Sequence, residues 1–246
     1  MDLGLAGRKA IVCASSRGLG RACAEALAAE GVAVVMNGRD AAVLKEAAET
    51  VRRASGVAVI EVPGDVSEPK VQDALLAACP EPDILVNNNG GPGMRDFREA
   101  DPEAVLKGVR GNMITPIEMI RRVIDGMIER RFGRIVDITS ASVKLPLSRL
   151  DISSGARAGL TAFLAGPARQ VAEHNVTINH ILPGTFATSR FREIGGDPAM
   201  IAAIPAKRAG EPEELGRLCA FLCSVHAGYI TGQSIVIDGG RYPGVL

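Results

Sequence analysis

An open, doubly wound α/β sheet is the fold that this chain predicts, and three observations lead there. Short β-branched runs recur along 246 residues, helical patterns separate them, and the apolar content is large enough for one sizeable core, with 47% hydrophobic and 23% charged residues. Near-continuous apolar runs are what parallel strands need when helices cover both faces of their sheet. The runs are Lys9 to Ala14, Val32 to Asn37, Val57 to Glu61, Ile84 to Asn87, Arg134 to Thr139, Thr177 to Leu182 and Ser234 to Ile237. They set the expectation at seven strands in a single domain spanning residues 1–246.

Between the strands, Leu19, Ala22, Cys23, Ala26 and Leu27 fall at the spacing that docks one helical stripe on a sheet. Repeated strand and helix alternation implies right-handed crossovers. Two further helical segments, Val105 to Met127 and Ala156 to Ala172, carry apolar and small residues on more than one face, which suits a partner copy as well as the sheet. The Gly- and Pro-rich piece from Pro183 to Pro212 is the one long irregular stretch, the kind of loop that usually serves function.

Composition removes several classes of function. Lys plus Arg number 28 against 28 Asp plus Glu, without a basic run, so nucleic acid is not an expected partner. No Trp and 3% aromatic residues leave no stacking platform for bases. The first residues lack the pattern of a secretory signal, and no apolar run approaches the ~20 residues that cross a bilayer, so a cytoplasmic protein with no membrane partner is expected. Five cysteines, at 13, 23, 79, 219 and 223, lack CxxC spacing and read as reduced, buried thiols. No metal site is expected; Cys219 and Cys223, one turn apart on a helix, read as packing residues.

The chemistry starts at Ala14-Ser-Ser-Arg-Gly-Leu-Gly20, which follows the first strand and opens the first helix. Glycines there let the backbone approach a pyrophosphate, and the helix N-terminus offers free N–H groups and the positive end of its dipole. About 20 residues on, where an adenosine ribose would lie, the chain reads Asn37-Gly38-Arg39 without a carboxylate to accept ribose hydroxyls. Arg39, with Arg17 in the turn, is placed to pair with a 2′-phosphate, which favours NADP(H) over NAD(H).

These residues resemble the short-chain dehydrogenase/reductase family, and within it members of the 3-oxoacyl-acyl-carrier-protein reductase type, over essentially the whole chain. The family's TGxxxGxG turn is matched by Cys13 to Gly20, with Ala14 in place of the first glycine and Ser16, Arg17, Gly18, Leu19 and Gly20 following. Its adenine-contacting pair is matched by Asp65-Val66, and its NNAG segment by Asn87-Asn88-Asn89-Gly90, with asparagine replacing alanine. Asn112 matches the helix asparagine of the proton relay, and Ile135 to Ser140 the segment that ends in the catalytic serine. Pro183-Gly184 to Thr188 matches PGxxxT, which closes on the nicotinamide, and the tail matches through Tyr229 to Gly240. The resemblance implies a Rossmann-type fold, NADP(H) held by Ala14, Ser16, Arg17, Gly18, Leu19, Gly20, Arg39, Asp65, Val66, Asn88, Gly90, Arg157, Pro183, Gly184 and Thr188, and a homotetramer.

The departure from the family lies thirteen residues after Ser140, where a Tyr-x-x-x-Lys motif carries catalysis and this chain has Ser153-Ser-Gly-Ala-Arg157. A serine hydroxyl is far less acidic than a phenol, and its oxygen falls roughly 4 Å short of where the phenol oxygen would sit. Arginine keeps its charge and its bonds to ribose hydroxyls but cannot relay a proton. The expected catalytic set is therefore Ser140, Asn112, Ser153 and Arg157, with Asp151 or a held water as other proton sources. The function expected is an NADP(H)-dependent oxidoreductase that interconverts a small carbonyl compound and its alcohol through a modified relay. A lyase, hydratase or isomerase using the same pocket, and a silent NADP(H)-binding protein, are the alternatives.

Overall fold

The computed structural model describes residues 1–189, 191 and 198–244. Seven parallel strands form one sheet in the order β3-β2-β1-β4-β5-β6-β7. They are β1 (Lys9–Val12), β2 (Ala33–Gly38), β3 (Val59–Pro63), β4 (Ile84–Asn88), β5 (Gly133–Ile138), β6 (Val176–Pro183) and β7 (Ser234–Ile237). The chain winds outward from β1 to β3, then returns to the other side of β1 with β4. That reversal opens a crevice between β1 and β4 beyond the carboxyl ends of the strands, where ligands of such sheets bind.

Helices cover both faces. On one, α1 (Gly18–Ala29), α2 (Ala41–Ser55) and α8 (Pro212–Cys223) bury Leu27, Leu44 and Leu215 against Val12, Met36 and Ile181. On the other, α3 (Pro69–Ala78), α5 (Thr115–Glu129) and α6 (Asp151–Gln170) bury Leu75, Met119 and Leu160 against Ile11, Leu85 and Ile178. Strand residues two apart share a face, so these continuous runs feed both cores at once.

Two expectations about elements are corrected. β3 sits two residues later than its apolar run, because Gly56 ends α2 in the left-handed conformation, φ 72°, and the next residues are spent on the connection. The helix read from Val105 to Met127 is broken into α4 (Pro102–Val109), a π-turn at Arg110–Ile114 and α5. Pro116 is the cause: it has no N–H to return to the preceding turn. The Gly111 carbonyl is met from outside instead, by the Asn89 amide at 2.7 Å.

β6 continues to Pro183, and beyond it Phe186 bridges Gly210 and a short helix, α7, covers Pro198–Ala202. The rest of the expected Pro183 to Pro212 loop, at positions 190 and 192–197, lies outside the described residues. Among the described residues no helix is long and apolar enough to cross a membrane, and no cluster of three or more ligating side chains is arranged to hold a metal ion. All five cysteines are free and buried.

Candidate active site at the carboxyl edge of the sheet

The turn between β1 and α1 is held open by its neighbours. Ala14 N–H donates to Asn37 Oδ1 at 3.2 Å, and the Ala14 carbonyl accepts from Asn88 Nδ2 at 3.0 Å. Asn37 in turn donates to the Val62 and Gly64 carbonyls, so the ends of β2, β3 and β4 together fix one residue, Ala14, through both of its peptide units. Gly20 has no room for a side chain, since a Cβ there would come within 2.5 Å of both the Ala14 carbonyl and Asn88 Nδ2. The first turn of α1 has no side-chain cap and no acidic residue. α2 is different: Asp40 accepts from the Ala42 and Val43 N–H groups. An uncapped helix start beside a glycine turn is a seat for a phosphate.

At the end of β2, a Cβ on Gly38 would lie 2.8 Å from Ser16 Oγ and 2.9 Å from Ser16 Cβ. The packing of Ser16 thus excludes an acidic side chain where an NAD-binding site would carry one. Arg17 and Arg39 are exposed on either side. Burial alone would raise the Asp65 carboxyl, but bonds from the Ser67 N–H and hydroxyl, with the charges of Arg39 and Lys107, hold it below the ordinary range. Arg39 and Asp65 therefore flank one place, as adenosine contacts would. Val66 is buried, and its carbonyl accepts from Gln72. Thr188 reaches over the turn: a Cβ on Gly18 would meet its methyl at 3.5 Å. Gly184 packs on Asp238, whose Cβ would come within 2.6 Å of a side chain at 184. Leu19 lies against the core, and Gly90 is exposed at the end of the segment after β4. The residues present fit a dinucleotide on all of these counts.

The catalytic candidates come from the end of β5, the π-turn and α6, and Ser153 and Arg157 are in direct contact. Ser140, just past β5, accepts from the Ser142 N–H at 3.1 Å and from the Ser142 hydroxyl at 2.9 Å. Asn112 is buried in the π-turn, where its amide donates to the Gly108 carbonyl while Oδ1 has no hydrogen-bond partner. Ser153 and Arg157 are one turn apart on α6 and both buried. Arg157 Nε donates to Ser153 Oγ at 3.2 Å, while its two terminal nitrogens donate to the Ile138 carbonyl at 2.7 Å and the Asn89 carbonyl at 3.0 Å. Asp151 is exposed in the first turn of α6.

Asn89 is the residue that reading the motif undervalued. Its amide meets Gly111 and its carbonyl meets Arg157, so it joins the segment after β4 to both halves of the site. The signal lay in the sequence as an asparagine where the family motif has alanine, but the partner was set by Pro116, 27 residues away.

Beneath the site a polar row crosses the sheet. Asn87, Asp137 and His180 share one register on β4, β5 and β6. Asn87 donates to Asp137 Oδ1 at 2.8 Å, and His180 Nδ1 lies 3.2 Å from Asp137 Oδ2. Cys13 Sγ is 4.0 Å from Asn87 Oδ1; burial first, then the Asp137 charge, pushes its thiol up to about 12, which leaves it unreactive. His180 falls outside every motif that carries the family resemblance.

Known proteins give the arrangement its context. Residues 13–241 match the family model described as enoyl-(acyl carrier protein) reductase. The chain is 31% identical over 242 residues to 3-oxoacyl-[acyl-carrier-protein] reductase FabG of Escherichia coli, covering 96% of this chain and 98% of that one. It is 32% identical over 246 residues to acetoacetyl-CoA reductase of Cupriavidus necator, with 96% and 99% covered. Among solved structures, L-sorbose reductase of Gluconobacter frateurii in complex with NADPH and L-sorbose is 31% identical, superposes with a TM-score of 0.93 and is matched over 100% of both chains. With that fold, that strand order and those motifs in place over nearly its whole length, the chain belongs to the short-chain dehydrogenase/reductase family of oxidoreductases.

Proposed function

We propose that the protein is an NADP(H)-dependent reductase or dehydrogenase of small carbonyl compounds in which Ser153 and Arg157 stand in for the family's tyrosine and lysine. The observation that carries this reading is the 3.2 Å bond from Arg157 Nε to Ser153 Oγ. Because the serine oxygen accepts from a guanidinium, its own O–H is left to donate. The cation beside it stabilises negative charge that builds on that oxygen as the proton leaves. Ser140 is set the same way, accepting twice from Ser142 and keeping its own proton to give. Two hydroxyls so arranged are donors for a developing alkoxide.

The residues Ala14 to Gly20, with Arg17 and Arg39 at the 2′-phosphate, Asp65 and Val66 at the adenine, Asn88 and Gly90 along the ribose and Pro183, Gly184 and Thr188 at the nicotinamide, would hold NADP(H). When bound it supplies the hydride that goes to the carbonyl carbon. Ser153 gives the proton to the carbonyl oxygen, and Asn112, whose Oδ1 is buried without a hydrogen-bond partner, would hold a water that returns it. The span 1–246 acts as one dinucleotide-binding unit, and the working protein is a homotetramer.

The test is NADPH oxidation across a panel of small ketones and aldehydes with wild type and Ser153→Ala. Removing a general acid costs about 10²- to 10⁴-fold in kcat. Ser153→Ala should show that loss while its NADPH affinity, read by fluorescence, stays within a few-fold. An undiminished kcat in Ser153→Ala overturns the assignment.

A further inference from the structure

A cleft that ends at Ser153 opens between the segment after β4 and the start of α6. Pro92, Phe97, Leu150 and Ile152 form its apolar walls, and Arg95 and Arg149 also line it. The two arginines are locked together through the backbone, since Arg95 N–H donates to the Arg149 carbonyl at 3.0 Å. Arg149 holds this position in the left-handed region, φ 68°, which a non-glycine side chain adopts only under constraint. Among the described residues neither guanidinium has an acidic partner, and the neighbouring Asp96 is engaged by Arg98 at 3.2 Å. Asp151 is the one carboxylate lining the cleft, and it sits in the first turn of α6, where the helix dipole favours it. Two positive charges against one negative leave the cleft cationic. Its space, counted out to open solvent, is about 210 Å³.

We infer that this cleft selects a small oxo-carboxylate, with the carbonyl at Ser153 and the carboxylate between Arg95 and Arg149. The inference rests on the reductase reading for the place of the carbonyl. The carboxylate itself is unchanged by the reaction: one hydride and one proton convert the ketone to a hydroxy acid.

The experiment separates binding from turnover. Protein saturated with NADP⁺, which cannot reduce a ketone, is titrated calorimetrically with acetoacetate against methyl acetoacetate and with 4-oxopentanoate against its methyl ester. At least one acid should bind about tenfold or more tightly than its ester, as charge-assisted bonds to guanidinium require. Salt should erode that preference, and R95Q/R149Q should abolish it with NADP⁺ affinity unchanged. Should the double variant misfold, R95Q and R149Q singly, and the salt dependence of wild type, carry the same test. Neither acid outbinding its ester, or a preference that survives in R95Q/R149Q, overturns the inference. An arginine-dependent acid preference without NADPH oxidation would sink the reductase reading and leave the subsite standing. Oxidation of NADPH by ketones regardless of a carboxylate would do the reverse.

Discussion

Ala14 occupies a conformation that an L-residue avoids, with φ 44°, and the bonds from Asn37 and Asn88 hold it there. The left-handed region costs an alanine about 1–2 kcal/mol, while a glycine would add about 0.5–1 kcal/mol of unfolded-state entropy. Ala14→Gly should therefore stabilise the protein by about 0.5–1 kcal/mol, a rise of roughly 1–4 °C in Tm for a chain of this size. A thermal melt that shows no gain would mean that the neighbours have relieved the strain. The proposed preference for NADP(H) rests on residues about 25 positions further on, at the end of β2. Arg39→Ala should lose about tenfold or more of the preference for NADPH over NADH in a fluorescence titration. Gly38→Asp should weaken both cofactors instead of recruiting NADH, because a Cβ at 38 would drive into Ser16 at 2.8 Å. A Gly38→Asp, Ser16→Gly pair should bind NADH better than Gly38→Asp alone.

At the scale of elements, the sheet carries its polar row at the cost of burying polar groups. Asp137 and His180 are 1% and 3% exposed; Asn87 meets Asp137 Oδ1, while Asp137 Oδ2 and His180 Nδ1 face each other at 3.2 Å without a well-formed hydrogen bond, and each is the other's nearest polar neighbour across the two strands. Removing one member of a buried pair costs about 3–5 kcal/mol, whereas removing both together is often far less damaging. His180→Val should be destabilised by that order, and Asp137→Val, His180→Val by less than the sum of the single changes. A denaturant double-mutant cycle should give a coupling of about 1 kcal/mol or more. An additive cycle would show that the two strands tolerate the groups independently. The break between α4 and α5 follows the same principle. A proline removes one backbone bond, an asparagine from the segment after β4 replaces it, and the exchange leaves Asn112 in a π-turn, a distortion often found at functional positions.

Across the whole molecule, what the sequence made legible is what depends on short-range pattern. Strand runs such as Ile84 to Asn87 and Arg134 to Thr139 gave the sheet, and the glycine turn gave the helix that opens the crevice. The bonds on which the proposed chemistry rests join residues far apart: Arg157 to Asn89, Asn88 to Ala14 and Arg95 to Arg149. No periodicity announces such pairs, because each exists only once the sheet has brought the strand ends together. Assembly lies between these cases. Within the two segments expected to suit a partner copy, Leu106 and Val105 on α4 are 67% and 38% exposed, and Phe163 on α6 is 50% exposed. α4 and α6 pack against each other, so these side chains belong to neighbouring helices on the outer side of the sheet. Large apolar groups gathered there are costly in water, and a stable interface needs about 800 Å² from each partner, an area two helices can supply. Light scattering at micromolar concentration should therefore give four times the 25.7 kDa chain mass. Leu106→Glu, Phe163→Glu should shift it to smaller species without lowering NADPH affinity more than a few-fold, since neither residue belongs to the turn or the site. A wild-type mass of one chain, or a double variant that stays tetrameric, would place the interface elsewhere or remove it.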